Sequence, residues 1–549
     1  MKNTILLSTL ALGFLPWTTA APSTSNQPLV SSLRPRAPPD APNGYAPAHV
    51  TCPADRPSIR SGATLSEEET SWLNTRREKT TSALKEFFGH VEIDNFNAVS
   101  YLESHSGNLS NLPNIGIAIS GGGMRACLVG AGVIKAFDNR TEGAAIMGQL
   151  GGLLQSASYV SALSGGSWML ASVFVNNFTT ISALQEDFWD FSSLPLFNGP
   201  STLGAAPFWG NISAQVAAKR RGRIEGYTFF NASQGGVDLN WSSIAKTQAF
   251  QDGDMPLPLV VADGQYSYWA ANTSTQNEPI YEFSPWEFGT YDDFIYGFAP
   301  LEYLGTRFVN GIVPDNETCV RGYDNAGLVI GTSSDIWNEE PFPDLLSETV
   351  NGPGAYDPNP FYQYNANTSP FAQDTRLIVA DGGEDSQNIP LNLLIQRKRN
   401  VDIIFDVDAG SDTATDIWPN SEPLVFTYER TLAGLANDTS FPSIPDINTF
   451  VNLGLNIRPA FFGCNSSNLT TPAPLVVYLP NQPITYMSNV SMLTSYYNTT
   501  SRDAMILNSY NIATRANNTL DSNWSTCVGC AVLSRSFDRT GTTVPEICN

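Results

Sequence analysis

Three short stretches of the sequence hold residue types that could carry out nucleophilic chemistry. Residues 162–168 read ALSGGSW, and Ser164 stands between small residues ahead of an apolar run. A serine nucleophile on a sharp strand-to-helix turn follows the pattern G-x-S-x-G. Gly166 fits this pattern, whereas Ala162 stands where glycine is usual. An ordinary Ser-Gly-Gly loop is the alternative interpretation of this stretch.

The second stretch, ISGGGMRA at residues 119–126, places Gly121, Gly122 and Gly123 between an apolar strand and a helix. Several backbone N–H groups without helical partners could bind a phosphate or an oxyanion there. A nucleotide P-loop would need a closing Gly-Lys-Ser/Thr and a dinucleotide site would need GxGxxG, and the sequence has neither. A tight turn without a ligand is the other interpretation.

The third stretch, VADGGEDSQNIPL at residues 379–391, puts Asp381 at the end of an apolar strand, where it enters a glycine turn. Functional groups of α/β proteins gather at the carboxyl ends of strands, so this aspartate is a candidate catalytic residue. An aspartate that only caps the turn is the alternative.

The position of the histidines decides how the serine could be activated. His49, His90 and His105 all precede Ser164 by a long way. We therefore expect Asp381 to accept the serine proton directly and, once protonated, to act as the acid for the leaving group. Burial should raise the pKa of this aspartate so that it is a better base near neutral pH.

The elements around these stretches predict one large α/β domain over residues 51–549. A capping box at Ser66 and Glu69 starts a helix that Gly89 ends. Near-continuous apolar strands separated by helices indicate a sheet buried on both faces. Residues 185–250 and 410–530 read as polar insertions over that core. The strand candidates are residues 114–120, 256–263, 375–381 and 401–408, together with the apolar stretch 153–163 before the serine.

The start of the chain predicts secretion. Residues 1–20 have one lysine, a short apolar core and small residues before Ala20, which is the pattern of a signal peptide. An N-terminal membrane anchor is the alternative, but the apolar core is too short to span a bilayer. Residues 21–50 read as a Pro-rich flexible lead-in. About sixteen N-x-S/T motifs, including Asn108, Asn316 and Asn498, predict N-linked glycans.

Charge and cysteine content narrow the class of protein further. The net charge of −23 argues against nucleic acid as a partner, because phosphate contacts need clusters of Lys and Arg. No further run is long enough to be a transmembrane segment, so the mature chain is expected to be soluble.

Most of the seven cysteines should form disulfides, with Cys127 the candidate free thiol. Cys527 and Cys530 form a CxxC, for which structural disulfides are favoured over zinc or redox chemistry.

The three motifs in this order, SGGGMRA, LSGGSW and DGGEDSQNIPL, resemble the fungal phospholipase B/lysophospholipase family. That family is related to the cytosolic phospholipase catalytic domain and to patatin. Residues 281–293, 303–311 and 418–420 resemble it as well, and the match covers roughly residues 50 to 540. The resemblance implies a three-layer α/β/α core with a central, mostly parallel sheet and large insertions, and no metal or other cofactor.

The resemblance also implies roles for named residues. Ser164 is the nucleophile and Asp381 the base, Gly122 and Gly123 with Gly121 form the oxyanion hole, and Arg125 holds the substrate phosphate. Guanidinium is well suited to phosphate, although an arginine on the helix surface is the alternative. Ala162 is the departure from the expected turn.

The expected function is a secreted hydrolase for acyl esters of lysophospholipids and diacyl phospholipids, in transient contact with lipid surfaces. It would act outside the cell, either free or held in the cell wall. An acyltransferase with the same serine and a catalytically silent lipid-binding glycoprotein are the alternatives. The aromatic-rich stretch 185–210 suggests either a lid that touches the membrane or, with greater weight, packing within an insertion.

Overall fold

The computed structural model of the chain describes residues 41–42, 46–192, 239–264, 278–335, 354–413, 417–435, 438–469, 471–494 and 496–549. The predicted signal peptide, most of the predicted lead-in and residues 193–210 of the lid hypothesis lie outside the described residues. Within the part that is described, no helix is both long enough and apolar enough to cross a membrane.

A twelve-stranded sheet forms the centre of the described residues. Its five central strands run parallel in the order β14-β12-β3-β4-β5, and antiparallel strands extend it on both sides. β11 pairs antiparallel with β5, and β1 and β9 form a separate two-stranded sheet. The strands are β1 (Ala48–Val50), β2 (Arg60–Ser61), β3 (Ile115–Ile119), β4 (Ala157–Ala162), β5 (Leu257–Gly264), β6 (Ile280–Phe283), β7 (Glu287–Thr290), β8 (Gly297–Pro300), β9 (Cys319–Arg321), β10 (Ala355–Tyr356), β11 (Leu377–Ala380), β12 (Ile403–Asp408), β13 (Ala460–Phe462) and β14 (Leu475–Pro480).

Helices cover both faces of this sheet. Every residue of β3, β4, β5 and β12 is buried, as the continuous apolar runs predict for strands with helices on both sides. The helices are α1 (Glu67–Phe87), α2 (Ala98–His105), α3 (Gly123–Phe137), α4 (Leu153–Ser156), α5 (Ser164–Phe174), α6 (Ile181–Asp187), α7 (Gln248–Gln251), α8 (Ala326–Thr332), α9 (Glu422–Ala433), α10 (Ile447–Asn452), α11 (Thr499–Thr514) and α12 (Trp524–Thr540). Helix α3 packs on α5 and α11, whereas α1 contacts β4 and α12 contacts β12 and β14. The prediction of a three-layer α/β fold is confirmed.

Helix α1 begins where the sequence predicts, but its first turn serves a second purpose. The Ser66 side chain caps the helix by accepting the backbone N–H of Glu69 at 3.0 Å. The Glu69 carboxylate does not return to the cap, because it binds the Arg399 guanidinium at 3.0 and 3.2 Å. The first turn therefore joins α1 to a distant part of the chain.

Arg399 is the centre of a buried ion-pair network. Its guanidinium also binds both oxygens of Glu282 on β6, at 2.5 and 2.6 Å, and all three side chains are almost fully buried. The two carboxylates hold the pKa of Arg399 well above its usual value, although burial alone would lower it. The network ties α1, β6 and the turn at residues 397–399 together.

Replacing Arg399 by methionine is expected to lower the free energy of unfolding by about 3–5 kcal/mol, because two carboxylates would stay buried without their partner. Arg397→Met is the matched control, since Arg397 is half exposed and pairs with Asp438, and an exposed pair is worth ~1 kcal/mol or less. Urea unfolding of both variants measures the difference. Equal loss of stability in the two variants would contradict this account of the network.

Two disulfides hold the edges of the fold. Cys52 pairs with Cys319 and Cys530 pairs with Cys548. Cys127 is free and buried, as predicted. Cys527, the other member of the CxxC, and Cys464 are exposed free thiols, so four of the seven cysteines are paired, in agreement with the expectation that most are.

Two predicted boundaries are wrong. The predicted lead-in ends before residue 50, because Ala48–Val50 forms β1 against β9 and the disulfide at Cys52 fixes the same segment. The stretch 410–530 is not an insertion over the core. It supplies β14, which is parallel to β12, and helix α11, which packs on α3. Polar residues lie between these buried elements, so the average composition of the stretch does not reveal them.

Candidate active site

Ser164 stands on the sharp turn that its sequence context predicts. Strand β4 ends at Ala162 and α5 begins at Ser164, whose φ of +50° is unusual for a residue other than glycine. The Ser164 backbone N–H donates to the Ser333 Oγ at 2.9 Å, which holds the turn from the side of helix α8. Such strain is typical of a nucleophile that a turn must present above a sheet.

The small residues after the serine are needed because another backbone lies against them. A Cβ placed on Gly165 would be 1.9 Å from the carbonyl oxygen of Gly123, and one on Gly166 would be 2.6 Å from the carbonyl oxygen of Ser120. The serine turn and the glycine run at residues 121–123 are therefore in direct contact. Ala162 is fully buried at the end of β4 and does not prevent this turn.

Substituting alanine at Gly165 is expected to push the Gly123 peptide away from its position. The expected loss of kcat is about 100- to 1,000-fold, the size observed when one oxyanion donor is removed. Gly107→Ala is the control, because a Cβ there meets nothing within 4 Å. Ester hydrolysis by the two folded variants checks this, and wild-type activity in Gly165→Ala would show that the glycine run does not contact the transition state.

Asp381 lies next to the serine. The role of base that the sequence analysis gives it stays a prediction. It follows β11 directly, its side chain is hydrogen-bonded to the Ser164 side chain, and it accepts the Gly383 N–H at 2.8 Å. Burial raises the pKa of Asp381 to about 6, and the two hydrogen bonds oppose part of that rise. A carboxyl group with this pKa is ionised at neutral pH and still takes up a proton readily.

The three histidines are all engaged elsewhere. His49 Nδ1 is 2.8 Å from the Thr318 hydroxyl, His90 Nε2 is 2.9 Å from the Gly151 carbonyl oxygen, and His105 Nδ1 is 2.9 Å from the Tyr101 carbonyl oxygen. The dyad of Ser164 and Asp381 therefore has no histidine beside it.

The glycine run adopts the conformation that only glycine takes up without strain. Gly122 has φ of +131° and Gly123 has φ of +62°. The Gly121 N–H differs from its neighbours, because it donates to the Asn388 carbonyl oxygen at 2.9 Å. The expectation that Gly121 also donates to the oxyanion is corrected for this reason, which leaves Gly122 and Gly123 as the candidates.

Arg125, which is expected to hold the substrate phosphate, is buried and bonded to backbone carbonyl oxygens. Its guanidinium is fully buried, and Nε donates to the Ala409 carbonyl oxygen at 2.9 Å and Nη1 to the Val490 carbonyl oxygen at 2.5 Å. Burial lowers the pKa of Arg125, and Asp408 and Asp412 offset part of that effect. In this arrangement Arg125 joins the first turn of α3 to the backbone at residues 409 and 490, and the contact with a substrate phosphate stays a prediction.

Sequence reasoning missed two residues that support the site. Ser333 anchors the serine turn, and nothing in its local sequence marks it. Asn388 holds Gly121 through its carbonyl oxygen and approaches the Gly121 carbonyl oxygen with its amide at 3.4 Å. Asn388 lies within the third motif, so its position seven residues after Asp381 was the available signal.

The described end of the proposed lid is part of the core. Trp189 and Phe191 are each 1% exposed, and the Trp189 indole donates to the Ser172 hydroxyl at 3.2 Å. Up to residue 192 this stretch therefore packs against α5, as the alternative interpretation favoured.

Solved structures share this fold. The human GIVD cytosolic phospholipase A2 matches with a TM-score of 0.60 at 15% identity, over 89% of this chain and 72% of that one. The same protein in complex with methyl gamma-linolenyl fluorophosphonate matches with a TM-score of 0.56. The class of protein is therefore that of the cytosolic-phospholipase-like α/β fold.

Sequence relatives identify the family. The family model for the lysophospholipase catalytic domain matches residues 115–341 and 341–549. The chain is 51% identical to a lysophospholipase of Penicillium chrysogenum, over 94% of this chain and 90% of that protein. It is 52% identical to lysophospholipase 1 of Aspergillus fumigatus, over 100% of this chain and 92% of that protein. The chain belongs to the lysophospholipase catalytic-domain family and is a lipid ester hydrolase, and the resemblance found in its motifs is confirmed.

Proposed function

We propose that this chain is a secreted phospholipase B that releases fatty acids from lysophospholipids and, as a second substrate class, from diacyl phospholipids. The observation that carries the proposal is the hydrogen bond between the Ser164 side chain and the buried Asp381. Membership of the lysophospholipase family supports the substrate class.

The first half of the reaction transfers the acyl group to the enzyme. The Asp381 carboxylate takes the proton of Ser164 while Oγ attacks the ester carbonyl carbon. The N–H groups of Gly122 and Gly123 stabilise the negative charge that develops on the carbonyl oxygen. The bond to the glycerol oxygen then breaks, and that oxygen receives the proton from Asp381, which leaves an acyl-serine.

The second half releases the fatty acid. A water molecule gives its proton to Asp381 and attacks the acyl carbon. The ester bond to Ser164 breaks, and the proton on Asp381 returns to the serine oxygen. The same carboxyl group thus acts as base and acid in turn, which requires a pKa close to the working pH.

Secretion rests on features of different kinds. The two disulfides suit an oxidising compartment, and the predicted signal peptide would direct the chain into such a compartment. Asn108, Asn316 and Asn498 are exposed members of N-x-S/T motifs and would accept glycans.

The test incubates the purified enzyme with lysophosphatidylcholine in the presence of EDTA and measures free fatty acid. A fluorophosphonate probe is added to a parallel sample, and mass spectrometry locates it. The proposal expects fatty acid release and a probe on Ser164 that the substrate protects. Transfer of the acyl group to a lipid alcohol, instead of release as free fatty acid, would favour the acyltransferase. A probe bound to another residue would show that Ser164 is not the nucleophile.

A further inference from the structure

A surface loop beside the active site exposes apolar side chains, and we call residues 486–494 together with Tyr496 the rim loop. Met487 is 60% exposed, Met492 40%, Leu493 66% and Tyr496 55%. Isolated exposed apolar residues are common on protein surfaces, but a cluster of them marks an interaction site. Four large apolar side chains within ten residues are such a cluster.

A side chain of helix α11 holds the start of the rim loop in place. The Asn508 side chain on α11 accepts the N–H groups of Ile484, Thr485 and Tyr486 at 2.9, 2.8 and 3.1 Å. Its amide donates to the Gln482 carbonyl oxygen at 2.9 Å. These bonds fix the backbone at the start of the loop, directly before the exposed Met487.

The rim loop also touches the catalytic machinery. The Met492 carbonyl oxygen lies 2.1 Å from where a Cβ on Gly123 would stand, so the two backbones are in contact. Arg125 donates to the Val490 carbonyl oxygen at 2.5 Å. A surface that rested on this loop would lie next to the oxyanion donors.

The charge pattern identifies what kind of surface this is. Between Arg458 and Arg502 the sequence contains no Asp, Glu, Lys, Arg or His, although the chain carries a net charge of −23. Burying the rim loop therefore removes no charge from water, which keeps the cost of docking low. A strongly acidic chain would be repelled by anionic lipids, so the partner that fits is electrically neutral.

We propose that the rim loop docks the enzyme onto electrically neutral lipid surfaces, with Met487, Leu493 and Tyr496 inserted among the head groups. This deepens the proposed function and rests on it, because the docked lipid would supply the substrate. Apolar side chains buried at such an interface, without any spanning segment, give reversible binding.

The test measures partition onto vesicles of dialkyl-ether phosphatidylcholine, which has no acyl ester to cleave. Leu493→Asp and Met487→Asp are compared with Leu520→Asp. Leu520 is 53% exposed and follows the C-terminal end of α11. This helix is about 24 Å long and begins three residues after the rim loop, so its two ends are well separated. N-glycans are removed enzymatically first, because Asn489 lies in an N-x-S motif within the loop.

Each rim-loop variant is expected to lose about 10- to 100-fold in partition, the effect of no longer burying one large apolar side chain. Leu520→Asp should bind as wild type does, and all three variants should hydrolyse a monomeric short-chain ester at the wild-type rate. Equal partition of wild type and both rim-loop variants would overturn the proposal. So would an equal loss in Leu520→Asp, or tighter binding to anionic phosphatidylglycerol vesicles.

Two further outcomes separate this proposal from others. A concentration-dependent dimer that Leu493→Asp abolishes, with no vesicle binding, would overturn it and assign the loop to a second copy of the chain. Vesicle binding by wild type without hydrolysis of any ester would instead contradict the proposed function.

Discussion

Ser164→Ala is expected to reduce the hydrolysis of lysophosphatidylcholine by about 10⁵-fold or more, because loss of the nucleophile removes the covalent route as a whole. The fold should survive for two reasons. Alanine has a Cβ as serine does, so the φ of +50° costs both residues about the same, and the bond to Ser333 uses the backbone N–H and not the lost hydroxyl. Fatty acid release and thermal unfolding measure the two effects separately.

Ser172→Ala on the same helix is the control for this substitution. Ser172 is buried and its hydroxyl binds Trp189, away from the dyad, so its loss should leave kcat within a few-fold of wild type. An active Ser164→Ala enzyme, free of wild-type contamination, would mean that another residue attacks the ester. The double variant with Asp381→Asn should be no worse than Ser164→Ala alone, because the two groups act as one unit.

Asp381→Asn is expected to lower kcat/KM by about 10⁴-fold, the upper end of what general acid–base catalysis contributes. The asparagine keeps the size of the side chain but accepts no proton. The proposed mechanism requires an ionised Asp381, and burial raises the pKa of this carboxyl group to about 6. The kcat/KM should therefore fall tenfold for each pH unit below that value and be level above it.

The acidic limb of this profile has to be assigned to one residue. Burial also raises the pKa of Asp412 to about 7, and Asp412 lies close to Arg125. Asp412→Asn is therefore the control, and it should keep the limb near pH 6. If that limb disappears in Asp412→Asn, the titrating group is not Asp381 and the assignment of the base has to change.

Much of the site could be predicted because its residues lie in three compact motifs. The strained turn at Ser164, the glycine conformations at residues 122 and 123 and the strand that delivers Asp381 each leave a local mark on the sequence. The helix cap at Ser66 is marked in the same way. In each case the physical requirement, a tight approach or a free N–H, involves residues that are adjacent in the chain.

The rest depends on residues that are far apart in the chain. Nothing near Ser333 or Arg399 shows that one holds the serine turn and the other neutralises Glu69. β14 was missed because polar and turn residues surround its six buried positions. Arg125 was assigned by its chemistry alone, whereas the burial that decides its contacts arises from residues near positions 409 and 490.

The position of the central strands in the sequence has a consequence during synthesis. β3 lies in the middle of the sheet, yet one of its neighbours, β12, leaves the ribosome almost 300 residues later, and β14 later still. Pairing between such distant segments waits for the late part of the chain. Ser164 emerges more than 200 residues before Asp381. In the proposed mechanism, a growing chain therefore carries the serine nucleophile without its base, and the active site is not assembled until most of the chain has been synthesised.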